Sequence, residues 1–329
     1  MTPTLRRRSR AANRAASLAG VLGCILAVTV RAAPAPSGVE DGYVAAREAA
    51  IKKLKPLYDG GKGEVTAADD TARSDLEAQM RTILGPLAFP GYGPGKLNLD
   101  SLYSGDEGFG MLDGLRFDAD IGANGEPSGK TGKDGQYVAP KTHILVTTQS
   151  LFARWLRAHK NWWDKGQKNV PQQIGAALND ASFYTQAIST DAAVEKFADM
   201  PMAKPAAATL VYGMLAARTQ SEIPDAADEV FVSALAGDKV YVVYGAIAPP
   251  VRIAACSTIR ADYNKKAEDA NEALQQKRIS QKAYDKLGNL IQQGEDAFKR
   301  CFAPLAQKEP AFAEAQKQAQ ALLQAAIGN

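Results

Sequence analysis

Several acidic residues lie in a glycine-rich part of the chain, and paired carboxylates are groups from which acid–base catalysis can be built. The candidates Asp113, Asp118 and Asp120, together with Asp106 and Glu107, fall within the glycine-rich segment 85–135. Two carboxylates flanking a groove hydrolyse glycosidic bonds in many glycosidases. Calcium is disfavoured, because Gly129 stands where a twelve-residue calcium loop starting at Asp118 requires a bidentate acid. We therefore expect solvated loop acids, and keep a carboxylate-based hydrolase of cell-wall glycan as an alternative function.

The chain carries no other recognisable catalytic or cofactor-binding motif. Its two histidines, His143 and His159, both lie on apolar segments, which favours packed side chains over a general base or zinc ligands. Residues 124–131 approach the phosphate-binding loop pattern but lack its first glycine, and turn residues follow where a helix is needed. We therefore predict no cofactor and no metal, and favour a protein that is not an enzyme while leaving enzymatic activity open.

Three tryptophans lie within nine residues, at Trp155, Trp162 and Trp163. The apolar spacing over 149–163 predicts an amphipathic helix that packs on the core. Consecutive residues on a helix cannot both face inward, so Trp162 and Trp163 are the candidates for a binding surface. Such a surface could stack on a sugar or grip a peptide.

The last third of the chain, from residue 257 to about 323, has the composition of a helical hairpin, with its turn at 277–279. Cys256 lies 22 residues before Arg278 and Cys301 lies 22 residues after Ile279. Two equal antiparallel legs would place these cysteines opposite each other, which predicts a Cys256–Cys301 disulfide. The second leg is predicted as one helix with Ser280 as its N-cap, and a last helix follows from 310.

The preceding residues predict an α+β fold with a small antiparallel sheet and a glycine-rich irregular segment. A β-hairpin is expected at 229–235 and 239–244, joined by a glycine turn, and Pro249 and Pro250 should end the β portion. Pro56 is expected to end the first helix. The remaining predicted elements are helices 39–55, 71–84, 149–163, 171–179 and 191–199, with strands near 115–117 and 143–147.

The first 32 residues resemble a bacterial export signal, with five arginines up to Arg14, an apolar run over 15–30 and a V-x-A cleavage site ending at Ala32. A lipoprotein attached through Cys24 is the less favoured alternative, because the apolar run continues past that cysteine. Removing the six arginines of this segment leaves 33 basic and 36 acidic residues, a net charge of −3. That balance argues against nucleic acid as a partner.

These observations divide the chain into three predicted segments: a signal peptide at 1–32, an α+β domain at 33–254, and a hairpin with a C-terminal helix at 255–329. The expected location is periplasmic or secreted, with no membrane span after cleavage. Our leading hypothesis is an exported, soluble bacterial envelope protein that binds a protein or an envelope polymer. Besides the glycan hydrolase, a periplasmic small-molecule binding protein stays open as an alternative.

Overall fold

In the computed structural model, the residues whose structure is described all lie between 33 and 329. The predicted signal segment lies outside the described residues, and so do Asp106, Glu107, Asp120, Trp162 and Trp163. The described residues are 38–59, 65–99, 102, 111–119, 142–159, 169–188, 193–218 and 226–327.

Helices and strands together make up most of the described chain. The helices are α1 (Gly38–Asp59), α2 (Val65–Leu84), α3 (Gln149–Ala158), α4 (Val170–Leu178), α5 (Ala181–Ala187), α6 (Ile259–Gln275), α7 (Gln281–Asp285), α8 (Leu290–Ala306) and α9 (Pro310–Ile327). The strands are β1 (Lys96–Leu97), β2 (Leu115–Asp118), β3 (Thr142–Thr148), β4 (Val194–Asp199), β5 (Ala208–Arg218), β6 (Ala226–Ala236) and β7 (Lys239–Arg252).

The strands form one seven-stranded sheet in the order β1-β2-β3-β7-β6-β5-β4, and every pairing is antiparallel. The predicted α+β class is confirmed, although the sheet has more strands than the sequence suggested. The predicted β6–β7 hairpin is also confirmed. Its turn uses Gly237 at a φ of +60°, a conformation that glycine adopts without a steric penalty.

Helices cover both faces of the sheet. The central strands are therefore apolar on both faces, rather than alternating between apolar and polar residues. On β7, Tyr241 and Val243 belong to the core beneath the N-terminal and C-terminal helices, α1, α2, α8 and α9. Val240 and Val242 point to the opposite face and pack with α3, α4 and α5. The result is three layers with a separate apolar core on each side.

Three local predictions are wrong, each because tertiary contacts outweigh a local signal. Residues 194–199 form the edge strand β4 rather than a helix, because Val194 and Phe197 are buried when the segment pairs with β5. Helix α1 continues past Pro56, since Tyr58 packs on the core and donates a hydrogen bond to Asp69. Strand β7 continues through Pro249, where its pairing with β3 has already ended at Gly245.

We call residues 257–306 the helical arm. Its first leg is α6, and the turn after it contains Lys277 at a φ of +56°, as the predicted hairpin requires. The second leg is not one helix. Ser280 caps α7 as predicted, but α7 ends at Asp285, because Gly288 adopts a φ of +65° and Asn289 then caps α8. Among the described helices, none combines the length and apolarity that a membrane span needs.

Candidate functional site

The base of the arm is covalently closed. Cys256, in a short 3₁₀ turn after β7, is disulfide-bonded to Cys301 on α8, with their Cα atoms 5.9 Å apart. The bridge confirms the pairing predicted from the equal legs. Cys256 is fully buried, so the bridge belongs to the core where the arm leaves the sheet.

A charged cluster attaches the same base to the sheet. The Arg260 guanidinium, on α6, donates to Glu295 on α8 at 2.6 Å and to Glu195 on β4 at 2.5 Å. Its Cζ atom lies 4.1 Å from the ring centroid of Phe298, a cation–π contact. Lys299 lies 3.7 Å from Glu195. Two basic and two acidic side chains therefore hold both legs of the arm against the edge strand.

The cluster predicts a pH dependence of stability. Burial and a hydrogen bond with Glu295 raise the pKa of Glu195 above its usual value of 4.5, although Arg260 opposes the shift. When the pKa of a group is higher in the folded state than in the unfolded state, the group stabilises the fold at pH values below its unfolded-state pKa. That stabilisation is lost as the pH rises through the folded-state pKa. The free energy of unfolding of the wild type should therefore fall as the pH rises above 4.5, and we expect Glu195→Gln to remove this fall.

Chemical denaturation across pH measures this effect, with the exposed Glu268→Gln as a control for the loss of one negative charge on the arm. An unchanged slope in Glu195→Gln would contradict the assignment.

The two legs pack closely because α8 has a glycine where they cross. A Cβ added at Gly294 would lie 2.7 Å from the Cβ of Tyr263 on α6, which is closer than carbon atoms approach. The close approach of Gly294 to Tyr263 holds the two legs together above the base and positions the far end of the arm.

The far end of the arm, residues 277–291, is an exposed apolar surface, which we call the arm tip. Leu287 is 40% exposed and Ile291 57%, and these are two of three large apolar side chains exposed in the described chain. Both line a pocket of about 190 Å³ with Tyr284 and Leu290. The Tyr284 hydroxyl donates to Asn271 at 2.6 Å, which fixes the ring beside the pocket.

The arm tip is also basic. It carries four basic residues and one acidic residue, a net charge of +3, whereas residues 33–329 together carry −3. Arg278 lies 3.6 Å from Glu272. In the part of the chain that the structure describes, Lys277, Lys282 and Lys286 are exposed and have no ion-pair partner. Positive charge is therefore concentrated around exposed apolar side chains.

Of the acids predicted to be solvated, Asp113 and Asp118 are bound within the fold instead. Asp113 accepts a hydrogen bond from the buried Tyr43 hydroxyl at 2.9 Å and pairs with Arg47 at 3.1 Å. Asp118 lies on β2, with its Oδ1 2.8 Å from Nδ1 of His143. The solvated-loop expectation was wrong for both. Among the described residues, no group of three or more His, Cys, Asp or Glu side chains could hold a metal.

Asp118 belongs to a polar patch on the α3 side of the sheet, which we call the polar end. Asp118 faces His143 across β2 and β3, and His143 faces Tyr244 across β3 and β7. The imidazole stacks on the Tyr244 ring at 4.7 Å. Farther along, Arg218 on β5 pairs with Glu229 on β6 at 2.9 Å. The patch therefore spans five of the seven strands.

Burial affects the acid–base properties of this patch. Desolvation raises the pKa of Tyr244, and its hydroxyl also interacts with Arg116, Arg218, Asp118 and Glu229. Desolvation likewise raises the pKa of Glu229, with Arg218 opposing it. For Asp118, desolvation is outweighed by His143 and Arg116, so its pKa is lowered. Tyr244 is therefore a neutral hydrogen-bond donor among charged groups.

Sequence reasoning missed the polar end, because its members lie on five strands and only the strand register brings them together. Comparison of the chain with protein-family models, with curated proteins and with solved structures found no match.

Proposed function

We propose that this is an exported protein of the bacterial envelope that binds another protein through the arm tip. The observation that carries the proposal is that exposed Leu287 and Ile291 line one pocket on a short segment whose three lysines have no ion-pair partner among the described residues. Large apolar side chains clustered at a surface are typical of interaction sites. The amino-terminal segment and the disulfide favour an oxidising compartment outside the cytoplasm.

The chemistry of the arm tip defines the partner. A pocket of about 190 Å³ has the size to accept one apolar side chain, as binding hot spots do. The lysines favour a surface that carries acidic groups around that side chain, since complementary charge speeds association and selects partners. The proposed partner is therefore an acidic protein segment with an exposed apolar residue.

The rest of the arm supports this role. Its disulfide, the Arg260 cluster and the close packing at Gly294 fix the base. A fixed base presents the tip without an additional entropic cost of ordering the arm on binding.

A photo-crosslinking amino acid at position 291, introduced in the bacterium that makes the protein, tests the proposal. We expect a discrete adduct in the periplasmic fraction, and none from the same amino acid at the exposed Asp262 near the base. Reversing the three lysines, Lys277→Glu, Lys282→Glu and Lys286→Glu, should abolish the adduct, because the acidic partner is then repelled.

Lys265→Glu, also exposed and on the same arm, is the matched control and should leave the adduct intact. An adduct that survives the triple reversal, or that forms equally at position 262, would contradict the proposal. So would recovery of the protein only from the cytoplasm.

A further inference from the structure

The two edges of the sheet differ in how their backbone is covered. At the β1 edge, Glu77 on α2 accepts a hydrogen bond from the Leu97 N–H at 2.9 Å, and Arg81 on the same helix donates to the Gly95 carbonyl. Side chains of α2 therefore occupy groups through which another strand could pair. Proteins commonly protect their edge strands in this way, because an open edge can pair with a second chain.

The opposite edge, β4, lacks such cover over most of its length. The Val194 N–H donates to Thr185 Oγ1 at 2.7 Å rather than to β5, so Lys196, two residues on, presents its backbone to the open edge. The Met200 N–H donates to the Gly213 carbonyl on β5, so the preceding Asp199 also faces outward. Apart from the β4–β5 pairing, neither Lys196 nor Asp199 has a backbone hydrogen bond in the described part of the chain.

A groove of about 710 Å³ runs along this edge. One wall is formed by residues 179–181, where α4 meets α5, and the other by Lys299 and Ala303 on α8. Helices α5 and α8 cover opposite faces of the sheet, so a groove bounded by both continues the plane of the sheet beyond β4. That is the position of an additional strand.

A β-bulge arranges the charges of β4. Residues three apart on a regular strand point to opposite faces, but the extra residue between Lys196 and Ala198 brings Lys196 and Asp199 to the same face. Their side chains form an ion pair there, and Lys196 also donates to Asn179 Oδ1 at 3.2 Å. A lysine alone on an edge strand opposes pairing, whereas here an acid on the same face accompanies it.

This arrangement is complementary to itself. When a second β4 lies antiparallel to the first with Lys196 opposite Asp199 of the second copy, the two-fold symmetry places Asp199 opposite Lys196 of that copy. Opposite charges directly across antiparallel strands are stabilising, and like charges are destabilising. The charged residues that line the groove are two basic and two acidic, Lys196, Lys299, Asp180 and Asp199, so two copies carry no net repulsion there.

We propose that β4 pairs antiparallel with β4 of a second copy of this chain, which joins the two sheets into one. The contact uses the same surface on both copies, so it closes as a dimer. This inference goes beyond the partner of the arm tip and does not depend on it.

Sedimentation velocity of the full chain tests the proposal by charge reversal. We expect the wild type to form a concentration-dependent dimer. Lys196→Asp and Asp199→Lys should each weaken dimerisation about tenfold or more, because both symmetry-related pairs become repulsive. An equimolar mixture of the two variants should form a dimer as tight as the wild type, since every pair between the unlike copies is again attractive.

Asp238→Lys is the matched control. It breaks an exposed pair with Lys239, whose side chain is 25% exposed like that of Lys196, and should leave the dimer intact. In the dimer, the Lys196 and Asp199 amides should exchange hydrogen more slowly than in either single variant. A wild type that stays monomeric, a mixture that does not associate, or equal amide exchange in dimer and monomer would overturn the proposal.

Discussion

Replacing Cys256 and Cys301 together with alanine is expected to lower the free energy of unfolding by about 4 kcal/mol. The bridge joins residues 45 positions apart, and opening a loop of that length restores a large conformational entropy to the unfolded chain. Alanine is preferred to serine here, because Cys256 is fully buried and a serine hydroxyl would have to be buried with it.

Urea denaturation measures the loss, and reduction of the wild-type protein should lower its stability by a similar amount. Reduced wild type and the double variant should then unfold alike. If the double variant in oxidising buffer unfolded at the same urea concentration as the wild type, the bridge would have no role in stability.

Phe298→Ala is the second large effect, expected to cost about 3–5 kcal/mol. Phe298 is fully buried on α8, and its ring lies 5.2 Å from that of Phe197 on β4 and 5.4 Å from that of Phe302. The truncation leaves a cavity between the arm and the edge strand. It also removes the aromatic surface under the Arg260 guanidinium.

Ile291→Ala on the same helix is the matched control. Because Ile291 is 57% exposed, its truncation should change the free energy of unfolding by no more than about 0.5 kcal/mol. Equal losses from the two truncations would mean that Phe298 is not in a packed core.

Elements with strong local signals could be predicted from the sequence. The glycine turn between two β-branched runs identified the β6–β7 hairpin, and symmetric helical legs identified the disulfide. Both depend on residues close together in sequence or on simple geometry. The segment 194–199 lacked such a signal, because its edge-strand conformation depends on pairing with β5.

The sites were harder to predict than the fold. Asp118 was identified as a carboxylate of interest, but its contact with His143 depends on the β2–β3 register, which no local pattern in the chain specifies. The arm tip was missed in a different way. Gly288 marks the end of α7 and Asn289 caps the start of α8, so these two residues divide the second leg. The apolar periodicity continues across both residues, and it therefore predicted a single helix.

The division of the second leg has an evolutionary consequence. Every residue from 271 to 293 is at least partly exposed, so this stretch contributes nothing to either core. Apart from Gly288 and the capping residues Ser280 and Asn289, substitutions there should accumulate at little thermodynamic cost. The lineage could thus exchange one recognition specificity for another at the end of the arm, while the scaffold that carries it stayed constant.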